Sequence, residues 1–284
     1  MNNLTRNSGE EAARKARRSR LTSVFTDTKA MIKESADLQA AVRGAIEKTR
    51  LYPASQKDFN RPVFTKPMRV TVTNHRTFEA AMRIHAEFPD KRIGVLNFAS
   101  ATNPGGGVEW GSSAQEESLC RCSTLFPVLD QKELREEFYD FHWNRDSSLY
   151  TDACIYTPDI RIIKTDTDQP ERMEPAVQIN VDVITCAAPN LRHVERISDD
   201  DLERIHLGRG RKILDVAVEN GIDCLVLGAF GCGAFRNDPR VVANAYAKLM
   251  EEFDGAFELV EFAVFYWGTE IVNYEAFKAA LVKA

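Results

Sequence analysis

The spacing of hydrophobic residues changes repeatedly along this chain after residue 69. Strand-like runs such as "RVTVTN", "RIGVLNFAS", "VQINVDVITCAAP" and "IDCLVLGAF" alternate with helix-period segments such as "TFEAAMRIHAEF" and "DLERIHLGRGRKILDVAVENG". The run "ELVEFAVFYW" predicts the last strand and "NYEAFKAALVK" the last helix. Strands separated by helices predict a three-layer α/β/α fold. The stretch 150–176 is expected to hold only short strands and turns.

Two helix ends carry recognisable signals. Gly221 follows a long helical pattern and suits the left-handed conformation that often ends a helix. Asp238 and Pro239 precede another pattern, as N-cap and first helical residue. These signals place helices on both sides of the strand "IDCLVLGAF".

Residues 1–60 differ from the rest because they are charged and helical in spacing. Pro53 and Pro62 then interrupt the pattern. The sequence therefore predicts a helical N-terminal extension over 1–64, packed on a core domain over 65–284. A basic cluster in this extension could contact phosphates or acidic partners, or could be the solvated face of a helix. Its members are Arg14, Lys15, Arg17, Arg18 and Arg20.

The composition favours a globular protein outside membranes. The 284 residues are 44% hydrophobic and 28% charged, and the net charge of −5 argues against a broad DNA-binding surface. The apolar runs are shorter than the ~20 residues of a membrane span, and no secretory leader is visible. The six cysteines are expected to be buried and reduced, although their even number also allows disulfides. We therefore expect a cytoplasmic protein.

Two strand exits are rich in glycine. "VLNFAS" runs into "ATNPGGG", and "CLVLGAF" runs into "GCGAF". Ligands of open α/β sheets bind beyond the carboxyl ends of strands, where glycines let a phosphate approach backbone N–H groups. No Gly-Lys dipeptide is present, so this is not a P-loop. The alternative is that the three glycines form a flexible surface loop.

Two adjacent carboxylates, Glu116 and Glu117, follow the glycines at a predicted helix start. Successive helix positions are about 100° apart, which predicts that the two side chains point in different directions. One could then face a reacting bond while the other orients a substrate hydroxyl. Alternatively, both are first-turn acids that the helix dipole favours.

Together these features resemble the bacterial-type poly(ADP-ribose) glycohydrolases of the macrodomain superfamily. Their signature is GGG, six to eight residues, then QEE; here it spans Gly105-Gly106-Gly107 and Gln115-Glu116-Glu117. The resemblance extends through "VDVITCAAPN", "LGAFGCGAFRNDP" and "FAVFYWGTEIVNYEAF", over roughly 65–284. It implies a macrodomain-like mixed sheet. Trp110, between the two halves of the signature, has no counterpart that we can assign.

The resemblance also implies roles for individual residues. Glu117 looks like the catalytic acid/base, and Glu116 like the residue that positions the ribose hydroxyls. Asn103 looks like the asparagine that holds the terminal ribose, and Phe235 like the aromatic residue packed on it. Gly105–Gly107 and the loop 231–235 look like the two diphosphate-cradling loops. Tyr266 or Trp267 could stack on adenine or be an ordinary core or rim residue. The expected substrate-binding residues are Asn103, Gly105, Gly106, Gly107, Gln115, Gly231, Cys232, Gly233, Ala234, Phe235 and Tyr266.

The implied reaction is hydrolysis of the ribose–ribose O-glycosidic bond of poly(ADP-ribose), mainly from chain ends. Such bonds break through an oxocarbenium-like state, and one glutamate can act as acid and then as base. The reaction needs neither metal nor cofactor. The expected partner is ADP-ribose polymer on modified proteins, with no membrane or direct DNA binding, and the expected state is a monomer. Alternatives are a mono-ADP-ribosyl hydrolase and a non-catalytic ADP-ribose reader, although the latter would not need both glutamates.

Overall fold

A mixed β-sheet forms the centre of the computed structural model, which describes residues 2–60 and 67–282, with side chains from residue 11 onward. Within these residues the sheet has seven strands, in the order β1-β4-β5-β3-β6-β7-β2. Strands β5, β3, β6, β7 and β2 are parallel, β4 is antiparallel to β5, and β1 is antiparallel to β4. The strands are β1 (Arg50–Tyr52), β2 (Arg69–Thr73), β3 (Ile93–Phe98), β4 (Cys154–Arg161), β5 (Asn180–Cys186), β6 (Cys224–Leu227) and β7 (Leu259–Ala263).

Helices cover both faces of this sheet. On one face lie α1 (Asn2–Glu34), α2 (Ala36–Lys48), α3 (Thr77–Glu87), α4 (Gln115–Cys122), α5 (Leu125–Leu129), and the nearly continuous α6 (Lys132–Leu134), π-turn (Arg135–Asp140) and α7 (Phe141–Trp143). On the other lie α8 (Asp199–Glu219), α9 (Pro239–Glu252) and α10 (Val272–Leu281). Neighbouring strand residues alternate between the two cores, as Val95 and Leu96 do. The predicted three-layer α/β/α architecture with a mixed sheet is therefore confirmed.

The helix-end signals are also confirmed. Gly221 has a φ of +68°, and the Asp238 side chain accepts a hydrogen bond from the Arg240 N–H at 2.8 Å, with Pro239 as the first helical residue. All six cysteines are free thiols; Cys232 is partly buried and the other five are buried. No helix in the described part of the chain is long and apolar enough to cross a membrane.

Four features differ from the sequence prediction. Residues within 150–176 form β4, a full eight-residue strand that lies between β1 and β5. The last strand ends at Ala263, so Tyr266 and Trp267 lie in the following loop. The short strand β1 and the helical stretch 132–143 were not predicted from the sequence.

The N-terminal helices pack directly against the rest of the protein. Phe25 of α1 makes an edge contact with Phe126, with ring centroids 5.0 Å apart. The buried Lys164 donates to the Val24 carbonyl at 2.6 Å and pairs with Asp27 at 2.9 Å. Thr28 donates to the carbonyl of Arg121 in α4. The predicted division at 64/65 lies outside the described residues and stays a prediction.

The glycine-rich exits come together at one edge of the sheet. β3 and β6 are parallel neighbours, so residues 99–114 and 228–237 leave the same edge side by side. The chain continues from β3 towards β4 and β5 on one side, and from β6 towards β7 on the other. A crevice between strands whose connections diverge is the usual ligand position in open α/β sheets.

Candidate active site

Helix α4 is fixed at its first residue by the side chain of Gln115. Its Oε1 accepts from the Phe98 N–H at 2.9 Å, and its Nε2 donates to the Leu96 carbonyl at 2.7 Å and to Thr77 Oγ1 at 2.9 Å. Ser118 of the same helix donates to the buried Asp166 at 2.6 Å. The amide of Gln115, which the sequence placed among substrate-binding residues, is thus engaged in joining α4 to the end of β3 and the start of α3.

Glu116 and Glu117 converge on Gly106. A β-carbon built on Gly106 would lie 2.6 Å from Glu117 Oε1 and 2.9 Å from Glu116 Oε2. The expectation that the two side chains diverge is therefore wrong for their carboxylates. Gly106 has a φ of +57°, which favours glycine, and its lack of a side chain leaves room for both acids.

The carboxylate of Glu117 is held by one oxygen only. Its Oε1 accepts from the Gly107 N–H at 2.9 Å. Its Oε2 is buried and has no hydrogen-bond partner among the described residues. An unpaired carboxylate oxygen in a buried position is costly unless a further group binds it, so Oε2 is the atom that can act on a substrate.

Glu116 is held more completely. Its Oε2 accepts from the Ser100 N–H at 2.7 Å, and its Oε1 accepts from Asn97 Nδ2 at 3.3 Å. Burial raises the pKa of Glu116 well above its ordinary value, against the lowering effect of the Ser100 N–H, and the charge of Glu117 raises it further. Glu116 therefore tends to be protonated, which relieves the repulsion between the two acids.

Two N–H groups of the first glycine loop are engaged within the site. The Gly106 N–H donates to the Asn103 carbonyl at 3.0 Å, and the Gly107 N–H donates to Glu117. Asn103 Nδ2 in turn donates to the Gly106 carbonyl. This geometry favours a role for Gly106 and Gly107 in orienting the two glutamates, and the diphosphate cradle at Gly105–Gly107 stays a prediction. Asn103 and the three glycines are buried or partly buried, so they do not form an exposed loop.

The second glycine loop has a different hydrogen-bond pattern. Gly231 has a φ of +81°, and an added β-carbon there would lie 2.7 Å from Ala188. Among the described residues, the loop N–H groups that donate to no acceptor are those of Gly231, Gly233, Ala234 and Phe235. Gly233 and Ala234 are exposed. These N–H groups are the available donors for an anion. Burial raises the pKa of the Cys232 thiol, which keeps it neutral.

The side chain of Asn237 holds this second glycine loop in place. The buried Asn237 Nδ2 donates to the carbonyls of Pro189 at 2.8 Å, Gly231 at 3.0 Å and Phe235 at 3.3 Å. Its Oδ1 lies 2.8 Å from His206 Nε2. Burial lowers the pKa of His206 to about 4, so the imidazole is neutral at pH 7. Because Oδ1 can only accept, Nε2 carries the proton.

Phe235 forms one wall beside the loop together with Tyr150. The two rings are 6.3 Å apart at 51°, and Tyr150 has a φ of +56°, which is unusual for a residue with a side chain. The buried Arg209 holds the segment around Tyr150 by donating to the Leu149 carbonyl at 3.1 Å and pairing with Asp152 at 3.1 Å. The exposed Arg192 lies 5.7 Å from the Phe235 ring.

Tyr266 lies at the same sheet edge, in the loop that follows β7. Its N–H donates to Asn74 Oδ1 at 2.9 Å, and its ring is 5.1 Å from that of Tyr274. The neighbouring Trp267 is 61% exposed. Since β7 adjoins β6 but not β3, Tyr266 lies on the opposite side of the second glycine loop from the glutamates.

Sequence reasoning missed several residues that build the site. Asn97 carried a signal, because it is a polar residue in the apolar run of β3 and is fully buried. Asn237 and Arg209 gave no signal in the sequence beyond being polar. Tyr150 gave no signal because its position depends on contacts with residues that are distant in sequence. Within the described residues, no three His, Cys, Asp or Glu side chains are grouped as metal ligands.

A three-layer α/β/α fold around a mixed sheet, with two glycine-rich strand exits and a pair of adjacent acids, defines a macrodomain-like protein. Residues 22–165 match the microbial-type PARG catalytic domain, where PARG stands for poly(ADP-ribose) glycohydrolase. The chain belongs to this family. A comparison with curated protein sequences gave no match.

Solved structures of bacterial PARGs are similar over most of the chain. The PARG of Thermomonospora curvata is 31% identical, with a TM-score of 0.84 over 93% of this chain and 100% of that one. The same protein bound to the inhibitor ADP-HPD is 30% identical, with a TM-score of 0.79 over 91% of this chain and 98% of that one. The PARG of Deinococcus radiodurans in complex with ADP-ribose is 33% identical, with a TM-score of 0.72 over 84% of this chain and 96% of that one.

Proposed function

We propose that this chain is a poly(ADP-ribose) glycohydrolase that hydrolyses ribose–ribose O-glycosidic bonds and releases ADP-ribose. The observation that carries the proposal is the convergence of Glu116 and Glu117 on Gly106, with Glu117 Oε2 buried and unpaired. Membership of the microbial-type PARG family supports it. So do the relatives, one of which binds ADP-ribose.

Glu117 is the acid/base of the proposed reaction. Protonated Glu117 gives its proton to the leaving oxygen as the bond between that oxygen and the ribose anomeric carbon breaks. The Glu117 carboxylate then takes a proton from the water that attacks the same carbon. The Gly107 N–H holds Oε1, so that Oε2 faces the reacting atoms. Glu116, kept neutral by burial, orients the ribose hydroxyls beside it.

The second glycine loop holds the diphosphate. The N–H groups of Gly231, Gly233, Ala234 and Phe235 are available donors, whereas those of Gly106 and Gly107 already bind acceptors within the site. The first loop therefore orients the acids and the second binds the anion. Tyr266, on the far side of the second loop, is placed for the adenosine end of the substrate.

The enzyme mainly trims chain ends. The Phe235 and Tyr150 rings form a wall beside the ribose position, and such a wall leaves little room for a polymer interior to pass through. It acts as a monomer without direct DNA binding. Its six unpaired cysteines suit a reducing compartment such as the cytoplasm.

Incubation of the purified protein with poly(ADP-ribose) tests the proposal. We expect free ADP-ribose, identified by chromatography against a standard, without added metal. A mono-ADP-ribosylated protein serves as the second substrate in parallel. Release of ADP-ribose from that substrate alone would assign the chain to the mono-ADP-ribosyl hydrolases, and no release from either would leave it as a reader.

A further inference from the structure

The basic segment of α1 lies against the loop that carries Trp110. The backbone of Arg18 approaches Gly111 so closely that a β-carbon on Gly111 would meet it, and Gly111 has a φ of +72°. Lys29 of α1 pairs with Glu109 of the same loop at 3.2 Å. Helix α1 and the turn Val108–Trp110 are therefore adjacent.

The turn that bears Trp110 is connected to the catalytic acid. Val108 is fully buried, whereas Trp110 is 68% exposed. The Trp110 N–H donates to the Gly107 carbonyl at 3.1 Å, and the N–H of Gly107 holds Glu117. Because a hydrogen-bonded turn keeps its end Cα atoms within about 7 Å, the Trp110 backbone stays close to the residue that binds Glu117.

The basic side chains of α1 include some on the helix face that is turned towards the protein. Arg14, Arg18, Leu21 and Phe25 recur at helical spacing on one face, and Leu21 and Phe25 are buried. Residues 11–20 are all exposed, so α1 extends beyond the core at this end. None of the five basic residues pairs with a described acidic side chain, and Glu11 is the one acid within 11–20. A chain with net charge −5 thus presents a local positive surface beside its candidate active site.

We propose that Trp110 and the basic segment 14–20 of α1 bind the part of the ADP-ribose polymer that remains after cleavage. This inference rests on the proposed function, because it concerns the polymer beyond the scissile bond. With the diphosphate of the released unit at the second glycine loop and the bond at Glu117, the remaining polymer begins on the other side of Glu117. The first loop, Trp110 and α1 lie there.

The chemistry of this surface suits that ligand. Each unit of the polymer carries an adenine and two phosphates. An exposed indole provides a face on which a base can stack, and exposed guanidinium groups provide contacts to phosphate. Segment 14–20 extends over about 9 Å at 1.5 Å per residue, which is enough to contact more than one phosphate.

Binding measurements on a hydrolysis-deficient background test the proposal. The background is Glu117→Gln, and the first variant adds Arg14→Ala, Lys15→Ala and Arg17→Ala. The matched control adds Arg204→Ala, Lys248→Ala and Lys278→Ala, which remove three exposed basic groups from α8, α9 and α10. The ligands are a purified polymer of about ten units, free ADP-ribose, and a single-stranded DNA with the same number of phosphates.

The α1 variant is expected to bind polymer on the order of tenfold more weakly, with unchanged ADP-ribose affinity. The slope of log affinity against log salt should fall by about two units, since each single-strand phosphate contact contributes about 0.7. Trp110→Ala should weaken polymer binding on the order of tenfold through lost base stacking, and Trp110→Phe should restore most of it. The control variant should match the background in all three measurements.

Three results would overturn the proposal. One is polymer affinity within twofold of the background in both the α1 and Trp110 variants. Another is an equal loss of affinity for free ADP-ribose, which would place these residues at the released unit. A third is DNA binding as tight as polymer binding and equally weakened, which would indicate a general nucleic-acid surface. Failure of the wild type to cleave polymer would refute the proposed function instead. The binding measurements would still show whether Trp110 and segment 14–20 bind the polymer.

Discussion

Gly106 is the residue on which the candidate site depends most. Its backbone lies between two carboxylates, and its φ of +57° is uncommon for residues other than glycine. The neighbouring Gly107 acts through its N–H group, which holds Glu117. The glycines thus lower the stability of the backbone in this segment, and they leave room for two acids to approach each other closely.

A side chain at Gly106 should impair catalysis more than nucleotide binding. A β-carbon in Gly106→Ala would displace Glu117 Oε1 and Glu116 Oε2, and a shift of ~1 Å can lower a rate about a hundredfold. We therefore expect a large loss of kcat with ADP-ribose affinity changed less than tenfold, measured by initial rates and calorimetry. Gly44→Ala in α2 is the control, since nothing lies within 4 Å of its added β-carbon and Gly44 lies outside the candidate site. Equal effects of the two substitutions would contradict this role.

Glu116 should make the stability of the protein depend on pH. Its folded pKa is raised by burial, so above its ordinary value of 4.5 the unfolded chain ionises while the folded chain stays protonated. The stabilisation is fully present below that value and is lost as the pH rises towards the folded pKa, by up to about 1.4 kcal/mol per pH unit. Glu116→Gln should remove this contribution, as denaturant unfolding at pH 5, 6 and 7 would show.

A control for Glu116→Gln is the same substitution at a glutamate that is not buried. Glu109→Gln serves, because the Glu109 side chain is 51% exposed on the turn near the same site. It should leave the pH dependence unchanged. A free-energy difference between wild type and Glu116→Gln that does not vary with pH would show that Glu116 is ionised in the folded protein.

At the scale of elements, the loop after β6 depends on a single buried side chain. Asn237 joins this loop to residue 189 and to helix α8 through His206. Asn237→Ala would leave the Pro189 carbonyl and the His206 N–H without their partner, whereas the carbonyls of residues 231 and 235 would each keep a backbone donor. Each buried polar group left unpaired costs about 1–3 kcal/mol, unless the site relaxes or admits water.

We expect Asn237→Ala to weaken ADP-ribose binding at least tenfold and to lower the unfolding free energy by about 2–4 kcal/mol. Calorimetry and denaturant titration measure the two effects. Asn244→Ala is the control, since Asn244 is exposed on the neighbouring helix α9. Unchanged ADP-ribose affinity in Asn237→Ala would show that the loop is not the diphosphate site.

The elements that the sequence predicted well are those with strong local patterns. Strand β3, its glycine-rich exit and the start of α4 follow from spacing and turn chemistry within some thirty residues. Strand β4 was not recognised because Pro158 and Asp159, the latter with a φ of +57°, interrupt its pattern, and its register shifts between Thr157 and Ile160. Its hydrogen bonds come from β1 and β5, which are distant in sequence.

The same distinction between local and distant contacts applies to the site. Paired glutamates after a glycine run could be read from the sequence. The direction of their carboxylates could not, because helical geometry alone predicts divergence, whereas the tertiary path of Gly106 brings both acids together. Tyr150 could not be found either, since its unusual backbone and its contact with Phe235 depend on Arg209, which lies 59 positions later.

At the scale of the whole molecule, the site combines loops from several strands of one sheet. Residues after β3, β5 and β6 and before β4 meet at the same edge. The aromatic wall of Phe235 and Tyr150 stands where these loops meet. The shape of the site beyond the ribose therefore depends on the complete fold.

This shape predicts the length of the reaction products. If the wall admits only chain ends, free ADP-ribose should appear from the earliest times while the remaining polymer shortens gradually on a gel. Phe235→Ala should lower activity on the order of a hundredfold through poorer ribose positioning. Gly44→Ala in α2, outside the candidate site, is the control. Early accumulation of mid-length oligomers would mean internal cleavage and would contradict the closed wall.

The central claim is that Glu117 is the acid/base, held by Gly107 and facing the substrate through Oε2. The most direct test is the rate of ADP-ribose release from poly(ADP-ribose) by Glu117→Gln, compared with wild type and with Glu109→Gln. We predict that Glu117→Gln loses at least a factor on the order of a thousand in rate, within the usual range of 10²–10⁴ for acid–base catalysis, and retains ADP-ribose affinity, while Glu109→Gln remains active. Turnover by Glu117→Gln within tenfold of wild type would contradict the assignment.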